Sequence, residues 1–205
     1  MVDFIFFTDE KIFSVAPPVN LQNVYVPCMT KKRDIDANCL LRARPTFSKR
    51  VMVSVAVSKV GCTDLIFVEP GAKVDAAYYR DVVLRQQMLP EIRQLTYTFF
   101  QQSNAPAHRA HDTVELLRRE TPSFIPPDLW PANSPDLNPV NYSIWGCVQQ
   151  RVYQKPVNDV DQLKQRLTEI WSGIEQTVVD EAINEWRRRL RAGVRTEGRH
   201  FEHLL

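Results

Sequence analysis

An α/β layered domain is the fold class this sequence predicts, and three observations predict it. Four β-branched or aromatic runs, at 4–8, 51–58, 64–69 and 97–101, read as strands. Stretches with apolar residues at helical spacing lie between and after them, and residues 158–192 carry two such stripes with no strand signal. Strands first, then strands alternating with helices, then helices, is the order of a sheet covered by helical layers. At 205 residues and 44% hydrophobic, the chain is long enough for one domain, residues 1–205, burying roughly 70% of the surface its unfolded form exposes.

Phe4-Ile5-Phe6-Phe7-Thr8 is a buried strand ending in the acidic pair Asp9-Glu10, and ligand chemistry often collects at such ends. After Pro17-Pro18, residues 20–50 form a polar, basic loop insertion, long for a compact domain and therefore a functional candidate. The runs at 51–58 and 64–69, turning at Gly61, fit an antiparallel hairpin. Asp75 caps a helix that turns Ala76, Tyr79, Val82, Val83 and Met88 inward, until Pro90 interrupts or restarts it. Beyond the strand at 97–101, residues 107–120 show helical spacing through Ala110, Val114 and Leu117. Pro122, Pro126, Pro127 and Pro131 then keep the chain extended around a short strand at Phe124-Ile125. From 139 to 153, Val140, Ile144, Cys147 and Val148 share one helical face, with Trp145 flanking it. Asn158 caps the next helix, whose stripe is Val160, Leu163, Leu167, Ile170, Trp171 and Ile174. Val178, Val179, Ala182, Ile183, Trp186 and Leu190 form a second amphipathic helix, and both stripes are core packing rather than a cofactor box.

Cys28, Cys39, Cys62 and Cys147 are scattered without a Cys-x-x-Cys pair, which points away from a zinc site or a disulfide framework and toward a reducing compartment. No apolar run reaches the roughly 18 residues of a membrane span, and residues 1–8 lack the basic start of a secretory signal. The expected location is intracellular, nuclear or cytoplasmic, with no membrane partner. A net charge of +2 is too small to argue for a polyanionic partner, but its distribution is uneven. Lys31, Lys32, Arg33, Arg42, Arg44, Lys49 and Arg50 face only Asp34 and Asp36, and residues 187–199 hold six arginines against Glu197. Either run is able to hold a phosphate backbone, or to be a solvated loop and an outer helix face.

Three segments put ligand-capable side chains at element ends. They are Phe7-Thr8-Asp9-Glu10-Lys11-Ile12-Phe13, then Phe100-Gln101-Gln102-Ser103-Asn104-Ala105-Pro106-Ala107-His108, then Trp130-Pro131-Ala132-Asn133-Ser134-Pro135-Asp136-Leu137-Asn138-Pro139-Val140-Asn141-Tyr142. In order and spacing they resemble the three catalytic blocks of mariner-superfamily transposases, across residues 4–153. The resemblance implies a ribonuclease-H-like fold, a mixed central sheet flanked by helices, in which three acidic residues hold two divalent metals, Mg2+ or Mn2+. Two hard cations roughly 3.5–4 Å apart stabilise the attacking and leaving oxygens of an in-line phosphoryl transfer, and they require charged oxygen ligands. The implied activity is DNA transposition and integration, with DNA and a second copy of the chain as partners and no small-molecule cofactor.

The first acid of the resemblance falls on Asp9, which is present; the second falls on Ser103 and the third on Asn141, 37 residues apart, where the acids are replaced. Asp9 alone leaves most of the metal charge uncompensated, so weak metal binding and impaired catalysis are expected. Glu10 and Asp136 are neighbouring carboxylates. Strand alternation points Glu10 away from Asp9, and Asp136 is expected to bond its own turn. His108 is either a polar neighbour of the site or a histidine bonded to a local backbone carbonyl. Ser54 stands where the superfamily usually has tryptophan. The helix-turn-helix modules of active relatives are expected to be absent, since the first strand lies so near Met1. Two other readings stand beside this one: an active metal-dependent endonuclease using substitute ligands, and a non-catalytic interaction domain.

Overall fold

The computed structural model describes residues 2–16, 48–69, 71–95, 99–131, 134–198 and 200–205. Most of the basic loop, with Lys31, Lys32, Arg33, Arg42 and Arg44, lies outside the described residues, whereas Lys49 and Arg50 are described and exposed.

A mixed sheet forms the centre. β1 (Ile5–Ser14) and β2 (Arg50–Ser58) pair antiparallel. The short strands β3 (Gly61–Cys62) and β4 (Ile66–Val68) both pair with β2, and β5 (Phe99–Gln101) and β6 (Ser123–Phe124) continue parallel on the far side of β1. Gly61 makes the tight turn into β3 with φ of 146°, a conformation that side-chain-bearing residues rarely adopt. The first strand was expected to end at the acidic pair Asp9-Glu10. It runs on to Ser14 because β2 supplies partners from Val57 opposite Phe7 to Arg50 opposite Ser14, a ladder between segments far apart in sequence. Tyr153 closes the strand by accepting from the Ser14 N–H at 3.0 Å and donating to its carbonyl at 2.7 Å.

Residues Ala76–Tyr78, Tyr79–Met88 and Leu89–Leu95 form one continuous helix, α1. Its middle part has wide i to i+5 turns, and the Leu89 N–H reaches the Leu84 carbonyl. Tyr79, Leu84 and Leu89, five residues apart, are therefore all buried. A 3.6-residue period put Val82 inward instead, and it is only half-buried. Pro90, expected to interrupt or restart the helix, lies just past the wide turns, where ordinary α-helical turns begin at Leu89. α2 (His111–Glu120) starts four residues later than the spacing predicts. Val140–Ile144 and Trp145–Val152 make α3, followed by α4 (Val160–Ser172) and α5 (Gln176–Arg195). The cap of α4 is Asp159 rather than Asn158: its carboxylate accepts from the Gln162 N–H at 2.8 Å, while the Asn158 N–H donates to the Gln162 side chain.

Alternation along β1 and β2 assigns each side chain to one of two apolar layers. Ile5, Phe7, Phe13, Val51, Val53, Val55 and Val57 pack with Trp145, Val148, Leu163, Leu167, Val179 and Ile183 of α3, α4 and α5. Phe6, Ala56, Ile66 and Phe100 pack with Tyr79, Leu84, Met88 and Leu117 of α1 and α2. Each such side chain, fully buried, stabilises the fold by roughly 1.5–3 kcal/mol. The predicted sheet flanked by helices is the observed architecture. Among the described residues no helix is long and apolar enough to cross a membrane.

Candidate functional site

β5 ends at Gln101, opposite Phe7 of β1. Asp9 lies two residues past Phe7, and Ser103 two residues past Gln101, so the two strands deliver both side chains to one place where the parallel pairing stops. Asp9 shares the face of Phe7 and Phe13 and is only 7% exposed. Its Oδ2 accepts a 2.7 Å hydrogen bond from the Trp145 indole N–H of α3. Burial pushes the Asp9 carboxyl from its ordinary 3.8 up to about 7, with the neighbouring Glu10 charge adding to the rise and the Trp145 N–H opposing it.

Asn141 reaches the same place through the loop before α3. Pro135–Leu137 forms a short 3-10 turn, and the next residue, Asn138, is 2% exposed. The Asn138 side chain donates to the Thr8 carbonyl at 2.9 Å and accepts from the Val140 N–H at 3.1 Å, which ties the loop to β1 and opens α3. Asn104 adds a second tie, donating to the Pro127 and Trp130 carbonyls. Asp9, Ser103 and Asn141 consequently line one cavity of about 320 Å3, with Pro106, Trp130 and Ser134 among its other walls.

The opposite face of β1 carries a second polar array. Glu10 accepts from the Ser54 hydroxyl at 3.0 Å, and its other oxygen is 3.4 Å from His108 Nε2. His108 Nδ1 lies 3.0 Å from Ser103 Oγ. The imidazole is 3% exposed and stacked on the Tyr79 ring at 4.1 Å between centroids, and Gln102 holds the His108 carbonyl at 2.9 Å. Ser103 thus stands between the cavity on one side and a buried imidazole and carboxylate on the other.

Asp136 is exposed and lines a different cavity, near Leu190 and Phe201, so it is not brought to Asp9. Three participants went unnoticed in the sequence: Trp145 as the donor to Asp9, Glu10 as the partner of His108, and Ser54 as a donor to Glu10. A signal existed only for the first, because Trp145 sits four residues after Asn141 and so on the same helix face.

Hard divalent cations need several charged oxygen donors. The cavity offers one carboxylate, already bonded to Trp145, and two uncharged hydroxyls, Ser103 bonded to His108 and Ser134 donating to the Pro131 carbonyl. Among the described residues no three His, Cys, Asp or Glu side chains converge as a metal site. This donor set does not fit a pair of divalent cations.

No protein-family profile matches the chain. The Tc3 transposase of Caenorhabditis elegans is 27% identical over 199 residues, covering 95% of this chain and 56% of that protein. The Tcb2 transposase of Caenorhabditis briggsae is 27% identical over 143 residues, 67% of this chain and 51% of that protein. The chain therefore spans about half the length of these curated relatives. Among solved structures, the Mos1 strand transfer complex superposes with a TM-score of 0.78 at 22% identity, covering 98% of this chain and 56% of that one. The Mos1 mariner catalytic domain gives 0.69 at 19% identity, covering 98% and 85%.

Proposed function

We propose that this chain, similar in sequence to Tc1/mariner transposases and sharing the ribonuclease-H-like fold of the Mos1 catalytic domain, is a transposase-derived, DNA-binding domain with impaired metal-dependent strand chemistry. One observation supports the reading: Asp9, Ser103 and Asn141, on which the resemblance lets the three acids fall, line a single cavity, and only the first is a carboxylate. The catalytic role passes to Asp9 alone, and Mg2+ or Mn2+, named in structures of Mos1, binds weakly here. An active nuclease with substitute ligands is disfavoured, since Glu10 lies across the sheet beside His108 and Asp136 lines another cavity.

DNA as partner is supported by the relatives, which include a Mos1 paired-end complex with a transposon end. It is supported also by exposed cations on this chain: Lys49 and Arg50 beside β1, and Arg187, Arg188, Arg191 and Arg195 along α5. In the sequence, Lys31, Lys32, Arg33, Arg42 and Arg44 precede the first pair. A DNA partner makes the nucleus the working location, and the paired-end complexes support a homodimer on DNA. Contacts to phosphates position a protein without reading bases, so these cations are expected to bind duplexes of unrelated sequence alike. The logarithm of affinity should fall with that of salt at about −0.9 per phosphate neutralised. Titration at two salt concentrations tests this, with plasmid nicking in magnesium or manganese run alongside. Failure to bind at low salt refutes the DNA reading, and nicking by the unaltered chain at a rate typical of an active enzyme refutes the impairment.

A further inference from the structure

We propose that Ser103 is an activated nucleophile, held by a relay of Glu10, His108 and Ser103, that attacks small carboxylic esters in the cavity it shares with Asp9 and Asn141. The inference stands apart from the DNA-binding reading and needs no metal.

Nucleophilic catalysis by serine requires a base within hydrogen-bond reach of the hydroxyl and a third group that orients the base. The base is within that reach, and a carboxylate lies close to its other ring nitrogen. Ser103 Oγ is 3.0 Å from His108 Nδ1, and His108 Nε2 is 3.4 Å from Glu10 Oε2. A carboxylate only accepts, so Glu10 selects the tautomer with its proton on Nε2 and leaves Nδ1 free to accept the Ser103 proton. The base is fixed from several directions: Tyr79 stacks on the ring, Gln102 holds the His108 carbonyl, and Ser54 holds the other oxygen of Glu10. His108 is 3% exposed, with a hydroxyl at one ring nitrogen and a carboxylate at the other.

Ser103 is half-buried and lines a cavity of about 320 Å3, room for a small acyl group. Two of the three amides lining that cavity, Asn104 and Asn138, donate to backbone carbonyls. Asn141 is the third, and in this proposal its amide is the donor to the developing oxyanion. In the first half-reaction the Ser103 Oγ–H proton moves to His108 Nδ1 while Oγ bonds to the ester carbonyl carbon. The ester C–O bond then breaks, and the leaving oxygen takes that proton. Water attacks the acyl-serine in the second half, giving its proton to Nδ1. The proton returns to Ser103 as the carboxylic acid leaves, so no oxidant, reductant or metal is consumed. Glu10 acts as a positioning residue through His108.

The test is incubation of the whole chain, in EDTA, with a fluorophosphonate probe and separately with p-nitrophenyl acetate. One adduct mapping to Ser103, and ester cleavage insensitive to EDTA, are expected. Ser103→Ala should abolish both, and His108→Gln should slow cleavage about a hundredfold. Glu10→Gln should slow it less, and the 15N shifts of the His108 ring should then lose the preference for a proton on Nε2, a change that a structural role for Glu10 would not produce. If His108→Gln fails to fold, Ser103→Cys decides: its thiol should alkylate with iodoacetamide much faster than the other cysteines of the same chain. A folded chain with no adduct on Ser103, cleavage that survives Ser103→Ala, or an Ser103→Cys thiol of ordinary reactivity would overturn the proposal.

Discussion

Replacing Asp9 by asparagine should make this protein more stable at neutral pH and remove much of its pH dependence. The Asp9 carboxyl is buried against Trp145, and titrates near 7 in the fold against an ordinary value of 3.8. Its folded value is raised, so the associated stability is fully present below about pH 4 and is lost as pH rises through about 7. Each pH unit in that window costs about 1.4 kcal/mol, so ionising Asp9 inside the fold costs about 4 kcal/mol by pH 8. Asparagine keeps the oxygen that accepts from the Trp145 N–H and carries no charge to desolvate. Urea denaturation of the wild type and Asp9→Asn at pH 4.5, 6 and 8 measures the difference. The gap between the two stabilities should widen by about 3 kcal/mol from the lowest pH, where about 1 kcal/mol of the cost is already present, to the highest, where it is about 4 kcal/mol. Parallel stability curves across the range would refute the reasoning, because they would mean that Asp9 ionises in the fold as easily as in the unfolded chain.

Trp145→Phe keeps the ring that packs on Phe13 but removes the donor to Asp9, and should cost about 1.5–3 kcal/mol at pH 8 and less at pH 5, read from urea midpoints. Gln101 is fully buried, with neither side-chain amide atom partnered among the described residues, so Gln101→Met should raise stability by about 1–2 kcal/mol, visible as a higher melting temperature. Ser103→Asp together with Asn141→Asp should give manganese-dependent plasmid nicking, with either change alone giving far less; a folded double variant that never nicks would place the impairment beyond these two side chains. Without metal, the same double variant should be less stable near neutral pH than the wild type, because three carboxylates then face one cavity.

The chain by itself determined the parts of this protein whose physics is local. Helical stripes such as Leu163, Leu167 and Trp171 are legible because burial of one face repeats every 3.6 residues. The loop before Asn141 is legible because its prolines and the Asn138 side chain organise their own backbone. Asp9, Ser103 and Asn141 were singled out by the resemblance of their blocks to those of mariner-superfamily transposases, and they do line one cavity. What the tertiary structure decided involves partners far apart in the chain. β1 extends to Ser14 because β2 pairs with it, and Asp9 is held at a raised pKa because a helix 136 residues away buries it and donates one N–H. The alternation of a strand separates Asp9 from Glu10, but only the packing of α1 and the turn at 106–108 decided that Glu10 would meet His108 and, through it, Ser103. The wide turns of α1 escaped a 3.6-residue reading for a related reason: the helix takes the period that lets Tyr79, Leu84 and Leu89 all reach the sheet, and the sheet is not written in the helix's own residues.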